Sequence, residues 1–138
     1  MIAHSDWKHD DVFEGVTEDG KTVTFDADSA HKHGPSPMQA VLMALCCCTS
    51  VDVVSILKKK RQKLTGLRVT ATATQAENPP RVFTHIVLTY AVRGQLSRKA
   101  VETAVALTKN KYCSVSKMLE KAATIKCEIV YPDGEPTP

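Results

Sequence analysis

The sequence predicts an α+β fold with the element order β-β-α-β-β-α-α-β. A long apolar stretch begins near residue 37, and short segments with the alternating pattern of strands lie on both sides of it. No repeating strand-helix-strand pattern and no Gly-rich phosphate loop is present, which argues against a nucleotide-binding doubly wound fold. The 138 residues, 43% of them hydrophobic, fit a single domain, predicted over residues 1–131 with a flexible tail at 132–138.

The first predicted elements are a hairpin over residues 12–26. Two segments rich in β-branched and aromatic residues are separated by Asp19-Gly20, a strong turn signal. A loop then ends in Ser36-Pro37, which suit the N-cap and the first position of a helix.

A long helix is predicted from residue 37 to residue 63, with Thr65-Gly66 closing it. Its middle is apolar on every side, which indicates a central helix enclosed by other elements. A chain of this size can hardly enclose such a helix alone, so a homodimer is expected.

The remaining elements follow from alternation, capping and turn residues. Strands are predicted over 67–74, 83–92 and 125–131, and helices over 98–110, with Ser97 as N-cap, and over 114–122. The strands on either side of Asn78-Pro79-Pro80 are expected to pair.

Composition and charge narrow the possible functions. The net charge of +3 and the aromatic content of 5% lack the basic and stacking density of a nucleic-acid surface. The longest uncharged stretch contains two prolines and several polar residues, so no membrane span is predicted. The amino terminus does not look like a secretion signal, and a cytoplasmic location is expected.

Five cysteines are the main chemical feature, and Cys46, Cys47 and Cys48 are adjacent. An odd number with this spacing does not resemble a disulfide framework, and no C-x-x-C spacing supports a zinc knuckle or a thioredoxin motif. Successive helical residues are rotated by about 100°, so at most one or two of the three face a shared site. Cys127 is expected in the core.

Two motifs carry a family resemblance. The segment GPSPMQAVLMALCCCT, residues 34–49, resembles the helix motif of the OsmC/Ohr family, the osmotically inducible and organic hydroperoxide resistance proteins. Tyr112-Cys113-Ser114 resembles the second cysteine motif of that family, and the predicted element order agrees. The chain is therefore identified as a divergent OsmC-like member.

The resemblance implies an intertwined homodimer with a thiol peroxidase site at the subunit interface. Cys48 is then the peroxidatic thiol and Cys113 the resolving thiol, with a dithiol as reductant and no cofactor or metal. An organic hydroperoxide is the implied substrate because the expected site walls are mostly apolar. The residues expected to bind it are Met38, Gln39, Val41, Leu42 and Leu45.

Two residues of the family's peroxidase members are absent. These members use an Arg from the hairpin and a Glu ten residues before the reactive cysteine, but this chain has Met38 at that position and no arginine before Arg61. An alternative function is therefore a binding module for a small apolar ligand, or a redox sensor. A metal site built from His31, His33 and Cys48 is a third hypothesis.

Asp52 follows Cys48 by one helical turn on the same predicted face. A buried carboxylate needs a partner, and beside a thiol it opposes thiolate formation. A partly exposed interface residue is the simpler interpretation of Asp52.

Overall fold

The computed structural model describes all residues, 1–138. Two compact units form, residues 1–43 and residues 44–138, and the boundary between them falls inside a single continuous helix. One domain over 1–131 stays a prediction.

The first unit contains a three-stranded antiparallel sheet. Its strands are β1 (Ala3–His9), β2 (Val12–Thr17) and β3 (Thr22–Asp26), in that spatial order. The predicted hairpin is thus confirmed as β2 and β3, while β1 adds a strand that the predicted order lacks. Every residue of β1 is exposed, so no buried face marks it in the sequence.

Helix α1 (Pro37–Lys59) begins where the sequence predicts. The Ser36 hydroxyl accepts from the Gln39 backbone N–H at 3.1 Å, and the Gln39 side-chain oxygen accepts from the Ser36 N–H at 2.8 Å. This reciprocal capping box satisfies two N–H groups that have no partner within the helix.

Helix α1 ends four residues earlier than predicted. Arg61 adopts a left-handed conformation with φ +56°, and the N–H groups of Arg61 and Gln62 donate to the carbonyls of Lys58 and Leu57. This is the Schellman pattern, which usually carries Gly at the left-handed position. The prediction that Thr65-Gly66 closes the helix is therefore wrong, because those residues already lie in a strand.

The second unit contains the sheet β4-β5-β6. Strand β4 (Lys63–Gln75) pairs antiparallel with β5 (Phe83–Gln95), and β6 (Thr124–Val130) pairs parallel with β5. The predicted pairing of the first two strands is confirmed. In β5 alternate side chains are buried, among them Ile86, Leu88, Tyr90 and Val92, as expected for a strand with one face in the core.

Two short helices connect β5 to β6. Helix α2 (Arg98–Leu107) has Ser97 as its N-cap, as predicted, and helix α3 is Ser114–Leu119. The residues between them, Thr108–Tyr112, form a π-helical turn, so the first of the two helices ends before the predicted residue 110.

The carboxyl-terminal residues, expected to be a flexible tail, make defined contacts. Thr137 forms a β-bridge with Ser97, its carbonyl accepts from the Arg98 N–H at 2.7 Å, and its hydroxyl donates to the Leu96 carbonyl. Asp133 and Glu135 form ion pairs with Arg93 and Arg98.

Helix α1 is only partly buried within one chain, as expected for a chain of this size. Only Leu45, Thr49, Val53 and Leu57 are fully buried, a stripe with a spacing of four residues. The single chain therefore does not enclose α1, because the other faces of this helix remain partly or fully exposed. Helix α1 is long and apolar enough to cross a membrane. Core helices of soluble proteins have the same length and composition, so one such helix is weak evidence for a membrane span.

Candidate dithiol site

The three adjacent cysteines of α1 lie in three different environments. Cys46 is half-buried; burial raises the pKa of its thiol, while a backbone hydrogen bond from Ala71 on β4 opposes the shift. Cys47 is exposed, and Cys48 is half-buried beside Cys113. The prediction that at most one or two of them face a shared site is confirmed.

Cys48, Asp52 and Cys113 form the candidate site. The two Sγ atoms and one carboxylate oxygen of Asp52 all lie within 4.8 Å of one another. Cys48 and Asp52 share a face of α1 because they are four residues apart. The structure therefore brings together the two cysteines that the sequence singles out, and adds Asp52 to them.

The π-helical turn and the start of α3 position Cys113. The Cys113 N–H donates to the Thr108 carbonyl at 2.9 Å, which closes the turn. The Cys113 Sγ accepts from the Ser116 N–H at 3.4 Å, and the Ser116 hydroxyl donates to the Cys113 carbonyl at 3.1 Å. The Cys113 side chain is consequently held in one orientation.

Burial distinguishes the two thiols. Cys113 has no solvent exposure, and this burial raises the pKa of its thiol, although the hydrogen bonds with Ser116 act in the opposite direction. Cys48 is only half-buried. The Cys113 thiol therefore retains its proton at neutral pH, while Cys48 is the thiol that a molecule from solvent can reach.

Asp52 is a half-buried carboxylate that forms no ion pair. The eight ion pairs of the structure all involve other residues. Both thiol sulfurs lie within 4.8 Å of an oxygen of this carboxylate, and they become negatively charged when they ionise. The site is thus a group of three acidic functions with no positive charge among them.

A surface cavity of about 340 Å³ adjoins the site through Asp52, which belongs to both. Its other lining residues are Ser55, Ile56, Lys59, Lys60, Leu107 and Tyr112. The cavity therefore combines apolar side chains with two lysines. None of these six residues carries a local sequence signal for a site, although Tyr112 belongs to the motif around Cys113.

The residues expected to bind substrate lie in the first half of α1. Gln39 takes part in the capping box, and Met38 is exposed. Val41 and Leu42 are half-buried. Leu45 is fully buried in the core of the single chain. Substrate contact at all five positions stays a prediction.

The remaining candidates have structural partners of their own. The His31 ring lies 2.9 Å from the Asp26 carbonyl, and the His33 N–H donates to the Asp26 carboxylate. Cys127 is half-buried rather than fully in the core, and its thiol lies 3.9 Å from the Tyr90 hydroxyl. The metal-ligand cluster around Cys48 contains Asp52 and Cys113 instead of the two histidines.

Comparison with known proteins agrees with this fold. The family model described as OsmC-like protein matches residues 29–128. Protein YhfA of Escherichia coli K12 is 44% identical over 126 residues, which cover 91% of this chain and 93% of that protein. A hypothetical protein from Aquifex aeolicus is 28% identical, with a TM-score of 0.85 and 97% of each chain covered.

A more distant structure extends the likeness. The organic hydroperoxide resistance protein OsmC of Legionella pneumophila, also described as a predicted redox protein, has a TM-score of 0.70. It is 16% identical, and the match covers 93% of this chain and 94% of that one. At this identity the likeness concerns the fold.

Proposed function

The chain belongs to the OsmC-like protein family, and on this premise we propose that it is a thiol peroxidase that reduces organic hydroperoxides. Cys48 is the peroxidatic thiol and Cys113 the resolving thiol. The observation that supports this proposal is the proximity of the two Sγ atoms, which lie within 4.8 Å of each other. A hydroperoxide resistance protein with the same fold adds support for a redox role.

The proposed cycle has three steps. The Cys48 thiolate attacks one peroxide oxygen; an S–O bond forms, the O–O bond breaks, and the leaving alkoxide takes a proton to become the alcohol. The Cys113 sulfur then attacks the sulfenic acid of Cys48, which forms a disulfide and releases water. A dithiol reductant returns two electrons and two protons and is itself oxidised to a disulfide.

Exposure supports this division of roles. A hydroperoxide must reach the peroxidatic sulfur, and Cys48 is the more exposed thiol of the pair. The resolving thiol needs only to meet the sulfenic acid formed beside it, and Cys113 is fully buried. A disulfide S–S bond measures about 2.05 Å, so the two side chains must approach each other during the second step.

The cavity beside Asp52 supports the choice of organic substrates. Ile56, Leu107 and Tyr112 provide apolar surface against which an alkyl or aryl group is removed from water. Hydrogen peroxide has no such group and gains nothing from this surface. We therefore expect cumene hydroperoxide to react faster than hydrogen peroxide.

Stopped-flow oxidation of the reduced protein by cumene hydroperoxide tests the proposal. Wild type should be oxidised rapidly with a disulfide between residues 48 and 113, and Cys48→Ser should lose the rapid phase. Cys113→Ser should be oxidised once, to a sulfenic acid at Cys48. Cys47→Ser is the matched control and should behave as wild type. Equal, slow oxidation of all four proteins would refute catalysis.

A binding function is the second candidate. The chain lacks the Arg and Glu of the family's peroxidase members, while the cavity next to the thiols is retained. In this case the cavity holds a small apolar ligand and the cysteines serve packing or redox sensing. Thermal stabilisation by an apolar ligand, without any peroxide turnover, distinguishes this function from catalysis.

We also propose that the protein is a cytoplasmic homodimer. The faces of α1 that the single chain leaves open include the apolar side chain of Val51, which is 68% exposed. A second copy of the chain would remove this apolar surface from water. Light scattering should show a dimer for wild type and for Lys58→Asp, and a monomer for Val51→Asp. A monomeric wild type would refute the dimer.

A further inference from the structure

We propose that Cys48, Cys113 and Asp52 form a binding site for a thiophilic divalent cation such as Zn²⁺. The three ligand atoms already lie within 4.8 Å of one another and come from two segments, α1 and the start of α3. This site shares its thiols with the proposed peroxidase but does not depend on turnover.

The distances are close to those of a tetrahedral metal centre. With Zn–S bonds of about 2.3 Å and a Zn–O bond of about 2.1 Å, neighbouring sulfurs are about 3.8 Å apart and a sulfur and an oxygen about 3.6 Å apart. The present upper limit of 4.8 Å requires each pair to close by about 1 Å at most. We expect rotation of the side chains to supply such a shift.

Charge favours a cation at this place. None of the ion pairs of the chain involves Asp52. When a divalent cation displaces the two thiol protons, two thiolates and a carboxylate carry three negative charges, and the cation compensates two of them. Each ligand group is at least half-buried, so water and salt screen its attraction to the cation less than they would at an exposed acidic patch.

The donor set indicates which cation binds. Thiolate ligands select Zn²⁺ and similar soft ions over Mg²⁺ and Ca²⁺, which prefer all-oxygen sites. Three protein ligands leave a fourth position for water. The Ser116 N–H already donates to the Cys113 Sγ at 3.4 Å and holds this ligand in place, as outer hydrogen bonds do around metal centres.

Binding and oxidation exclude each other in this arrangement. The cation replaces the two thiol protons, which are released to solvent. An organic hydroperoxide takes two electrons from the metal-free dithiol: the S–S bond forms, the O–O bond breaks, and the two thiol protons complete the alcohol and water. The disulfide has no thiolate left to bind the cation. Because the bound cation occupies both sulfurs, it should slow the oxidation of the dithiol.

Cobalt substitution under anaerobic conditions tests the site. Reduced wild-type protein should bind one Co²⁺ per chain with a thiolate-to-cobalt charge-transfer band, and Zn²⁺ should displace it. Cys48→Ser and Cys113→Ser should each lose about half of the band and at least about 10-fold in affinity, and Asp52→Asn should lose affinity but keep the band. Cys47→Ser and Cys127→Ser are controls and should match wild type.

Alkylation of the wild-type protein tests the metal site without requiring that any variant folds. With Zn²⁺ present, the rate at which Cys48 reacts with iodoacetamide should fall, while the rate at the exposed Cys47 stays unchanged. An unchanged rate at Cys48, or equal weakening of metal binding by Cys47→Ser, would overturn the site. Rapid peroxide oxidation of metal-free protein that binds no Co²⁺ refutes only the metal site. Metal binding without rapid oxidation refutes only the peroxidase.

Discussion

The buried hydrogen bond between Thr49 and Tyr90 should contribute measurably to stability. The two hydroxyl oxygens are 2.6 Å apart, and neither side chain has any solvent exposure. Thr49 directly follows Cys48 on α1, and Tyr90 lies in the middle of β5, so the bond joins the helix that carries Cys48 to the sheet. Replacing Thr49 by Val and Tyr90 by Phe removes the hydroxyls one at a time and largely preserves shape.

The expected free energies differ between the two substitutions. Thr49→Val leaves the Tyr90 hydroxyl with only the Cys127 thiol at 3.9 Å, so it should cost about 1–3 kcal/mol, the range for a buried polar group left without a good partner. Tyr90→Phe should cost less, about 0.5–1.5 kcal/mol, because a helical threonine can donate to the carbonyl four residues earlier. The double variant should cost about 1–2 kcal/mol less than the sum.

Urea unfolding at a fixed protein concentration measures these values. With an m-value of about 1–3 kcal/mol/M, a loss of 2 kcal/mol lowers the midpoint by about 1 M. Thr108→Val is the matched control: Thr108 is fully buried, but its hydroxyl has no partner, so this substitution should be neutral or stabilising. Strict additivity of the two single variants, or a Thr108→Val loss as large as that of Thr49→Val, would refute the reasoning.

Three further predictions concern backbone strain, capping and pH. Gly94→Ala should destabilise by at least about 2 kcal/mol, because φ is +128° and an added Cβ would lie 2.0 Å from the Lys63 carbonyl oxygen; Gly20→Ala, which meets no atom within 4 Å, should cost less in the same urea titration. Ser97→Ala should cost about 1 kcal/mol, read from the thermal midpoint, because its hydroxyl accepts from the N–H three residues on at 3.0 Å. Stability should fall above about pH 8.5. Burial raises the pKa of the Cys113 thiol, so the unfolded chain releases this proton at a lower pH than the native protein does. The stabilisation is therefore full below the pKa of the unfolded chain and is lost as the pH rises through the pKa of the native protein. The variant Cys113→Ala should flatten this decline in stability.

The sequence is sufficient for elements whose signals are local. Asp19-Gly20 fixes the turn between β2 and β3, and Ser36 with Gln39 caps the start of α1. The β-branched residues between positions 83 and 92 predict strand β5. The proximity of Cys48 and Cys113 is different: it was expected from the resemblance to a family, since nothing in their spacing of 65 residues brings them together.

The missed features have no local signal. Strand β1 has no buried residue, and only its pairing with β2 makes it a strand. Arg61 ends α1 in a conformation that usually belongs to Gly, so the expected marker of a helix end is absent. The π-helical turn before Cys113 depends on packing around Thr108, which is buried. Each of these features is decided by tertiary contacts.

The three adjacent cysteines show why the residue type alone does not identify a reactive thiol. They share one helix and one sequence neighbourhood, yet rotation about the helix axis by about 100° per residue gives each of them a different partner. Cys46 meets the backbone of β4, Cys47 is exposed on α1, and Cys48 meets Cys113 and Asp52. The chemistry of a thiol depends on the groups that surround it. Of the three cysteines, only Cys48 lies beside both a second thiol, which disulfide formation needs, and a carboxylate, which can bind a cation together with it. Cys47→Ser is therefore an informative control, since it removes a thiol from the same helix without touching the dithiol.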